Sequence, residues 1–232
     1  MSRKNIILLA LVVIVVGGAA IIGYYSYQNA HYVSTDNARV ASDVVRVSPE
    51  IVGNLTSWNV REGDIVQVGQ VLGRQDLQAA LSSSALNPAS LGSVGAVLAQ
   101  KAIITAPIAG QIIQSNAIVG EMAAPGTILA VIADTDQMYI SADIKEVNIS
   151  KVHIGEVVDV SLDAFPGRTF PGRVDSIGRA TASTFSLLPA QNDSGNYTKV
   201  TQVIPIKIHL VQTFGSRIMI GMNASIRIHV GK

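Results

Sequence analysis

The stretch SPEIVGNLTSWNVREGDIVQVGQVL, residues 48–72, returns in altered form as TAPIAGQIIQSNAIVGEMAAPGTIL, residues 105–129. Each copy has a proline before its first glycine, then an apolar run, a Gly-acid turn and a final glycine. One constant interval, called here the repeat interval, separates the corresponding glycines, which are Gly53 and Gly110, Gly63 and Gly120, and Gly69 and Gly126. Glycine at fixed places in a strand pattern marks turns that need positive φ, or a close approach of two backbones. Because two copies are too few for a solenoid, we expect two β-units that pack together as halves of one domain.

Most of the remaining chain also alternates with the two-residue period of β-strands. Short β-branched runs stand between turn-forming residues, at 44–47, 65–68, 103–104, 111–113, 128–132, 157–162, 204–210 and 225–230. The fold class is therefore predicted as mainly β. We further expect the last strands to return and pair with the connecting segment, residues 32–47.

Helix is predicted in two places. Residues 77–101 are rich in Ala, Ser, Leu and Gln, with Asn87-Pro88 as a turn signal. Two helices of about nine to twelve residues fit there, each about 14–18 Å long. Residues 145–152 predict a further short helix.

The N-terminus predicts one transmembrane helix, residues 6–28. Residues 5–28 carry no charge, and tyrosines at 24, 25 and 27 follow the apolar run, as in an aromatic belt. The run is longer than the ~7–15 residues of a signal peptide, and no small-residue cleavage site follows it. We therefore expect an uncleaved anchor. Arg3 and Lys4 precede it, which places residues 1–5 in the cytoplasm and the bulk of the chain in the periplasm or outside the cell.

The composition argues against several classes of function. Without Arg3 and Lys4, 15 basic residues face 16 acidic ones, so no basic stripe indicates a nucleic-acid partner. The chain has no cysteine, which is compatible with an oxidising compartment. No nucleophile elbow or phosphate-binding glycine loop occurs, and we expect no catalytic residue and no enzyme.

No metal or cofactor is expected either. The four histidines lack the spacing of metal ligands, and they are His31, His153, His209 and His229. The acidic pairs Asp134/Asp136 and Asp143/Glu146 stand beside strand ends, as solvated residues do. Lys101 fits the end of a helix, where a cation suits the helix dipole, better than a site of covalent cofactor attachment.

Several motifs resemble membrane fusion proteins of the HlyD/EmrA type. VSTDNARV at 33–40 resembles the entry segment of that family. VSPEIVG at 47–53 and ITAPIAG at 104–110 resemble its two lipoyl-like halves. TFSLLPAQNDSGNYTKVTQ at 184–202 is similar to the signature of the EmrA branch.

The resemblance implies a division of the chain. Its parts are a cytoplasmic N-terminus (1–5), a transmembrane helix (6–28), a membrane-proximal strand segment (29–46), the halves of a lipoyl-like, barrel-sandwich hybrid domain (47–76 and 102–134), a short helical insertion (77–101), a β-barrel domain (135–181), and a barrel completion with a membrane-proximal domain (182–232).

The resemblance also implies a function. The chain would be an adaptor of a drug or toxic-compound export system in the cell's inner membrane, bound to a major-facilitator-type exporter and assembled as a homo-oligomer. Relatives that reach an outer-membrane channel carry a long helical hairpin where this chain has only residues 77–101, so contact with such a channel is in doubt. Two alternatives stay open: an adaptor of an ABC-type peptide or polysaccharide exporter, and a membrane-anchored lipoyl- or biotinyl-like carrier modified at Lys101.

One loop is a candidate partner interface. Its residues are Phe185, Leu187, Leu188, Asn192 and Asn196. The three large apolar side chains stand among turn formers, and either clip the loop onto the barrel core or contact the exporter or a neighbouring copy.

Overall fold

The computed structural model describes residues 14–24, 28, 30–78, 91–185, 201–211 and 218–231. Contacts divide the chain into two compact units: residues 42–138, and residues 1–41 together with 139–232.

Fourteen strands and two α-helices can be named within the described ranges. In chain order they are β1 Tyr32–Ala41, β2 Val44–Val47, β3 Gly53–Trp58, β4 Ile65–Val66, β5 Val71–Gln75, α1 Leu91–Lys101, β6 Ile103–Thr105, β7 Gly110–Ser115, β8 Met122–Ala123, β9 Ala130–Ala133, β10 Tyr139–Lys145, α2 Glu146–Ile149, β11 Val157–Leu162, β12 Thr169–Ile177, β13 Val203–Leu210 and β14 Asn223–His229. Each of the eight β-branched runs overlaps a strand, which confirms the mainly β fold.

The unit 42–138 is built from two four-stranded sheets, β2-β9-β7-β4 and β6-β5-β3-β8. A shift along the chain by the repeat interval maps the strands of one sheet onto those of the other, so that β3 falls on β7 and β4 on β8. The shared core comes from both halves: Leu55 and Ile112 are equivalent and buried, as are Leu72 and Leu129. The two copies therefore form halves of one barrel-sandwich hybrid domain, as the repeat predicted.

The second unit contains a closed antiparallel barrel, in the order β1-β10-β13-β12-β11-β14. β14 pairs with β1, with Tyr32 opposite His229, which confirms that the last strands return to the connecting segment. That prediction was wrong for residues 44–47, because they form β2, which pairs with β9 in the other unit. Alternate residues of each barrel strand point inward; in β10 these are Ile140, Ala142 and Ile144, all buried.

The unit 42–138 is inserted between two neighbouring barrel strands. β1 ends at Ala41 and β10 begins at Tyr139, and these two residues are opposite each other in the antiparallel pair. The chain thus leaves the barrel and re-enters it at one point.

The helices are short. α1 has 11 residues, about 16 Å at 1.5 Å per residue, and α2 lies inside the predicted 145–152. The other helix predicted for residues 77–101 falls largely outside the described residues. Residues 14–24 are helical. In the part of the chain that the structure describes, no helix combines the length and the apolar character needed to span a membrane.

Candidate functional site

The Gly-acid turns of the unit 42–138 tie its two halves together. Two hydrogen bonds of 2.8–2.9 Å connect each turn with the opposite half. They are Gly63 N to Ile112 O and Ile112 N to Asp64 O for the first turn, and Gly120 N to Leu55 O and Leu55 N to Glu121 O for the second. Each bond has its equivalent one repeat interval away, so the halves exchange identical contacts. Buried backbone groups must find partners, and here each half satisfies those of the other.

The six repeat glycines serve two purposes. Four of them have φ between +77° and +95°, the left-handed region that suits glycine, and they are Gly63, Gly69, Gly120 and Gly126. The other two allow a close approach: a Cβ would stand 2.3 Å from Asp76 O at Gly53, and 2.1 Å from Ala133 O at Gly110. Asp76 and Ala133 are themselves equivalent positions of the repeat, so the same crowding occurs in both halves.

The two equivalent turns present different surfaces. The first has Arg61 and Glu62, and the Glu62 carboxylate accepts a hydrogen bond from Ser115 N at 3.0 Å. The second has Ile118 and Val119 in the same positions, exposed by 58% and 57%. We call the residues Ile118, Val119 and Met122 the apolar turn; Met122 is 66% exposed. Since the charged turn adopts the same backbone, the fold does not require apolar residues here.

The entry motif at 33–40 forms a bulge in the barrel. The register between β1 and β14 shifts between Thr35 and Ala38. Thr35 Oγ1 accepts a hydrogen bond from Asn37 N at 3.1 Å, and Asn37 Nδ2 donates to Asp143 Oδ2 at 2.9 Å. The bulge turns Asn37 toward β10, and the bond from Asn37 to Asp143 connects β1 with β10.

Three of the four histidines meet at the end of the barrel where β1 begins. A cavity of about 590 Å³ opens there, and its lining includes His31, His153, Ile154, Glu156, Arg173 and His229. We call it the His31 mouth. The grouping could not be predicted from the sequence, because the histidines are distant in sequence and only the barrel register brings them together.

Contacts between histidines and carboxylates, and one hydrogen bond of Arg173, order the side chains of the His31 mouth. His153 Nδ1 lies 3.4 Å from Glu156 Oε1, and His229 Nε2 lies 2.7 Å from Asp159 Oδ2. Arg173 Nη1 donates to Gly155 O at 3.0 Å. No group of His, Cys, Asp or Glu within the described ranges is arranged to hold a metal ion.

The other predicted residues are placed as follows. Phe185 ends a short 3-10 helix, Ala182–Phe185, whereas Leu187, Leu188, Asn192 and Asn196 lie outside the described residues. Lys101 is in the last turn of α1, as predicted, and its Nζ is 3.3 Å from Glu50 Oε2. His209 is on β13, opposite Tyr139. The acids behave as turn and surface groups; Asp134 Oδ1 accepts from Asp136 N at 3.0 Å.

Comparison with known proteins identifies the unit 42–138. Residues 43–135 match the family model described as the RND MFP barrel-sandwich hybrid domain. Among solved structures, the membrane fusion protein Spr0693 from Streptococcus pneumoniae R6 is similar, with a TM-score of 0.61 over 87% of this chain and 99% of that one. At 13% identity, this likeness shows the fold alone.

One relative in sequence is similar over both units. YhbJ of Bacillus subtilis (strain 168), named as a putative efflux system component, is 35% identical over 201 residues, which is 87% of this chain and 81% of the relative. The colistin resistance protein EmrA of Acinetobacter baumannii is 38% identical over 105 residues, or 45% of this chain and 30% of that much longer protein. The chain therefore belongs to the membrane fusion proteins of the EmrA type, a family of adaptors that are not enzymes.

Proposed function

We propose that this adaptor serves a drug or toxic-compound export system, is held in the cell membrane by residues 6–28, and works with a major-facilitator-type exporter. One observation carries the proposal: the similarity to a protein named as an efflux system component runs through 87% of the chain. It therefore includes strands of the barrel as well as the barrel-sandwich hybrid unit. Transport energy then comes from the exporter.

The choice of a major-facilitator exporter rests on residues 184–202, which are similar to the signature of the EmrA branch. These residues precede β13, a barrel strand. Phe185, Leu187 and Leu188 are the apolar residues with which this loop would contact the exporter. Apolar clusters that stay exposed in the free protein are typical of protein contacts.

The apolar turn supports assembly into a homo-oligomer. Ile118 and Val119 stand where the other half has Arg61 and Glu62, and together with Met122 they are exposed. Burying three such side chains against another copy removes apolar surface from water. This stabilises the contact by about 25 cal/mol per Å² of apolar area buried. We therefore propose that copies of the chain contact each other through this turn.

The helical insertion gives no support to an outer-membrane channel as partner. α1 is about 16 Å long, whereas a docking hairpin needs long helices with sustained heptads. The proposed system consists of the exporter and several copies of the adaptor.

Co-purification tests the proposed partner. The tagged full chain is solubilised in a mild detergent from its host's membranes, and the proteins retained with it are identified by mass spectrometry. We expect a secondary transporter with twelve or fourteen helices. Recovery of an ATPase instead would contradict the major-facilitator partner.

Alanine substitutions at Phe185 and Leu188 extend the same experiment to the loop. If the loop is the interface, the variants lose the exporter but keep the wild-type melting temperature. A lowered melting temperature would show instead that these side chains pack on the barrel. Val97→Ala, on the exposed side of α1, is the matched control and should change neither quantity.

A further inference from the structure

The His31 mouth opens close to the predicted end of the membrane anchor. His31 follows residue 28 by three positions, and an extended chain spans at most about 3.6 Å per residue. The two positions are therefore within about 11 Å of each other. Each polar headgroup layer is about 5–8 Å thick, so the mouth is held at or next to the headgroups. This step rests on the anchor given under the proposed function.

The mouth offers the donors that a phosphodiester accepts. The Arg173 guanidinium has five N–H donors in a planar fork, which suits phosphate oxygens. Its bond to Gly155 O uses Nη1 and fixes the side chain at the cavity wall. His31 and His229 line the same cavity beside it.

The two carboxylates near the mouth each have a histidine partner. Glu156 Oε2 accepts from His153 N at 3.0 Å, and its Oε1 faces the His153 ring. Asp159 lies on β11 and pairs with His229. Both carboxylates therefore take part in hydrogen bonds along the walls, while the Arg173 guanidinium keeps a permanent positive charge at the cavity.

An exposed isoleucine stands at the rim. Ile154 is 68% exposed, in the loop between α2 and β11, next to His153. Packing in the described part of the barrel does not explain it, since most of its surface remains in water. At a bilayer surface such a side chain enters the boundary between headgroups and acyl chains, where apolar area is buried.

We propose that the His31 mouth is a docking surface for anionic phospholipid. The headgroup phosphodiester accepts hydrogen bonds from Arg173, while Ile154 enters the acyl boundary beside it. The cavity, about 590 Å³, falls within the roughly 300–1,000 Å³ of small-molecule sites. Lipid bound there holds the barrel against the membrane, in addition to the anchor.

The absence of cysteine from the chain makes a site-specific test practical. Ile154→Cys in the full chain is labelled with a nitroxide and inserted into nanodiscs of phosphatidylethanolamine and phosphatidylglycerol, or of phosphatidylcholine alone. Collision with a water-soluble nickel chelate and with oxygen is measured by electron paramagnetic resonance. The control label is at Met219→Cys, since the neighbouring turn bonds Val40 at the other end of β1.

We expect the nickel accessibility at position 154 to be several-fold lower than at position 219 in discs with phosphatidylglycerol. Arg173→Gln should abolish the difference between the two lipid compositions. Equal water accessibility at positions 154 and 219 would overturn the proposal. Protection that arises only after the exporter is added would also overturn it, because the mouth would then be an exporter contact.

The outcomes separate this proposal from the proposed function. A chain that does not insert into discs would lack the anchor, and the lipid site would fall with it. A lipid-protected label together with failed exporter co-purification would overturn the exporter partnership and keep the lipid site. Arg173→Gln should still co-purify with the exporter in detergent if both proposals are correct.

Discussion

Gly53 and Gly110 lack a side chain because a backbone carbonyl occupies the space where Cβ would be. The distances from an added Cβ to Asp76 O and Ala133 O are 2.3 Å and 2.1 Å, far below van der Waals contact. Neither carbonyl belongs to a flexible side chain, so relief requires the strands to move apart. The repeat thus places a backbone carbonyl oxygen against the Cα of the equivalent glycine in both halves.

Gly110→Ala should therefore lower the free energy of unfolding by about 3 kcal/mol, as overpacking in a dense region does. Urea unfolding followed by the fluorescence of Trp58 measures the change. Gly95→Ala is the matched control: Gly95 lies within α1, with nothing within 4 Å of an added Cβ. That variant should be stabilised by about 0.5–1 kcal/mol, because alanine is the better helix former. Equal small effects at both positions would contradict the crowding.

At the scale of elements, the two Gly-acid turns are internal controls for one another. Gly63 and Gly120 have nearly the same φ, +93° and +95°, and their N–H groups make equivalent bonds. The residues before them differ completely in chemistry, Arg-Glu in one turn and Ile-Val in the other. The backbone thus accepts either pair, and the proposed purpose of the apolar pair is contact between copies.

Replacing the apolar pair by the residues of the other turn tests that purpose. The double variant Ile118→Arg, Val119→Glu should keep the wild-type melting temperature, because the equivalent turn folds with those residues. It should lower the oligomeric state measured by analytical ultracentrifugation in detergent. Val211→Glu, at a residue with similar exposure of 61%, serves as the control for adding charge. A variant that assembles like the wild type would exclude the apolar turn from the contact between copies.

Elements were predictable from the sequence where local pattern decides them. β13 and β14 alternate cleanly, and both were expected within one or two residues of their bounds. β8 has only two residues, and its pairing with β3 depends on the opposite half rather than on its own apolar pattern. The bulge at Asn37 also escaped prediction, since its hydrogen-bond partner Asp143 is 106 residues away.

At the scale of the whole molecule, one unit is an insertion in the other. Ala41 and Tyr139 are opposite each other in the barrel, and residues 42–138 lie between them in the chain. β1 and β10, the barrel strands on either side of the insertion, are antiparallel neighbours like the two strands of a simple hairpin. Every strand of the closed barrel therefore pairs with two other barrel strands and with none of the inserted unit.

A chain in which Asn-Gly replaces residues 42–138 should still form the barrel. Two-residue Asn-Gly loops favour the type I′ turn that joins directly paired strands. We expect a β-type circular dichroism spectrum and one cooperative thermal transition. Deletion of residues 41–138 with the same turn is the control: it shifts β1 by one residue and sends its core face outward, so the transition should be lost. A barrel that melts without cooperativity in the first chain would show that it depends on the inserted unit.

The sequence by itself determined the family, the mainly β class and the two-half unit. It could do so because turns at Gly63 or Gly120, strand alternation and the entry motif are properties of consecutive residues. Only the tertiary structure decided which distant residues meet. Strand register depends on non-local pairing and core packing, and that register brings His31, His153 and His229 to one mouth.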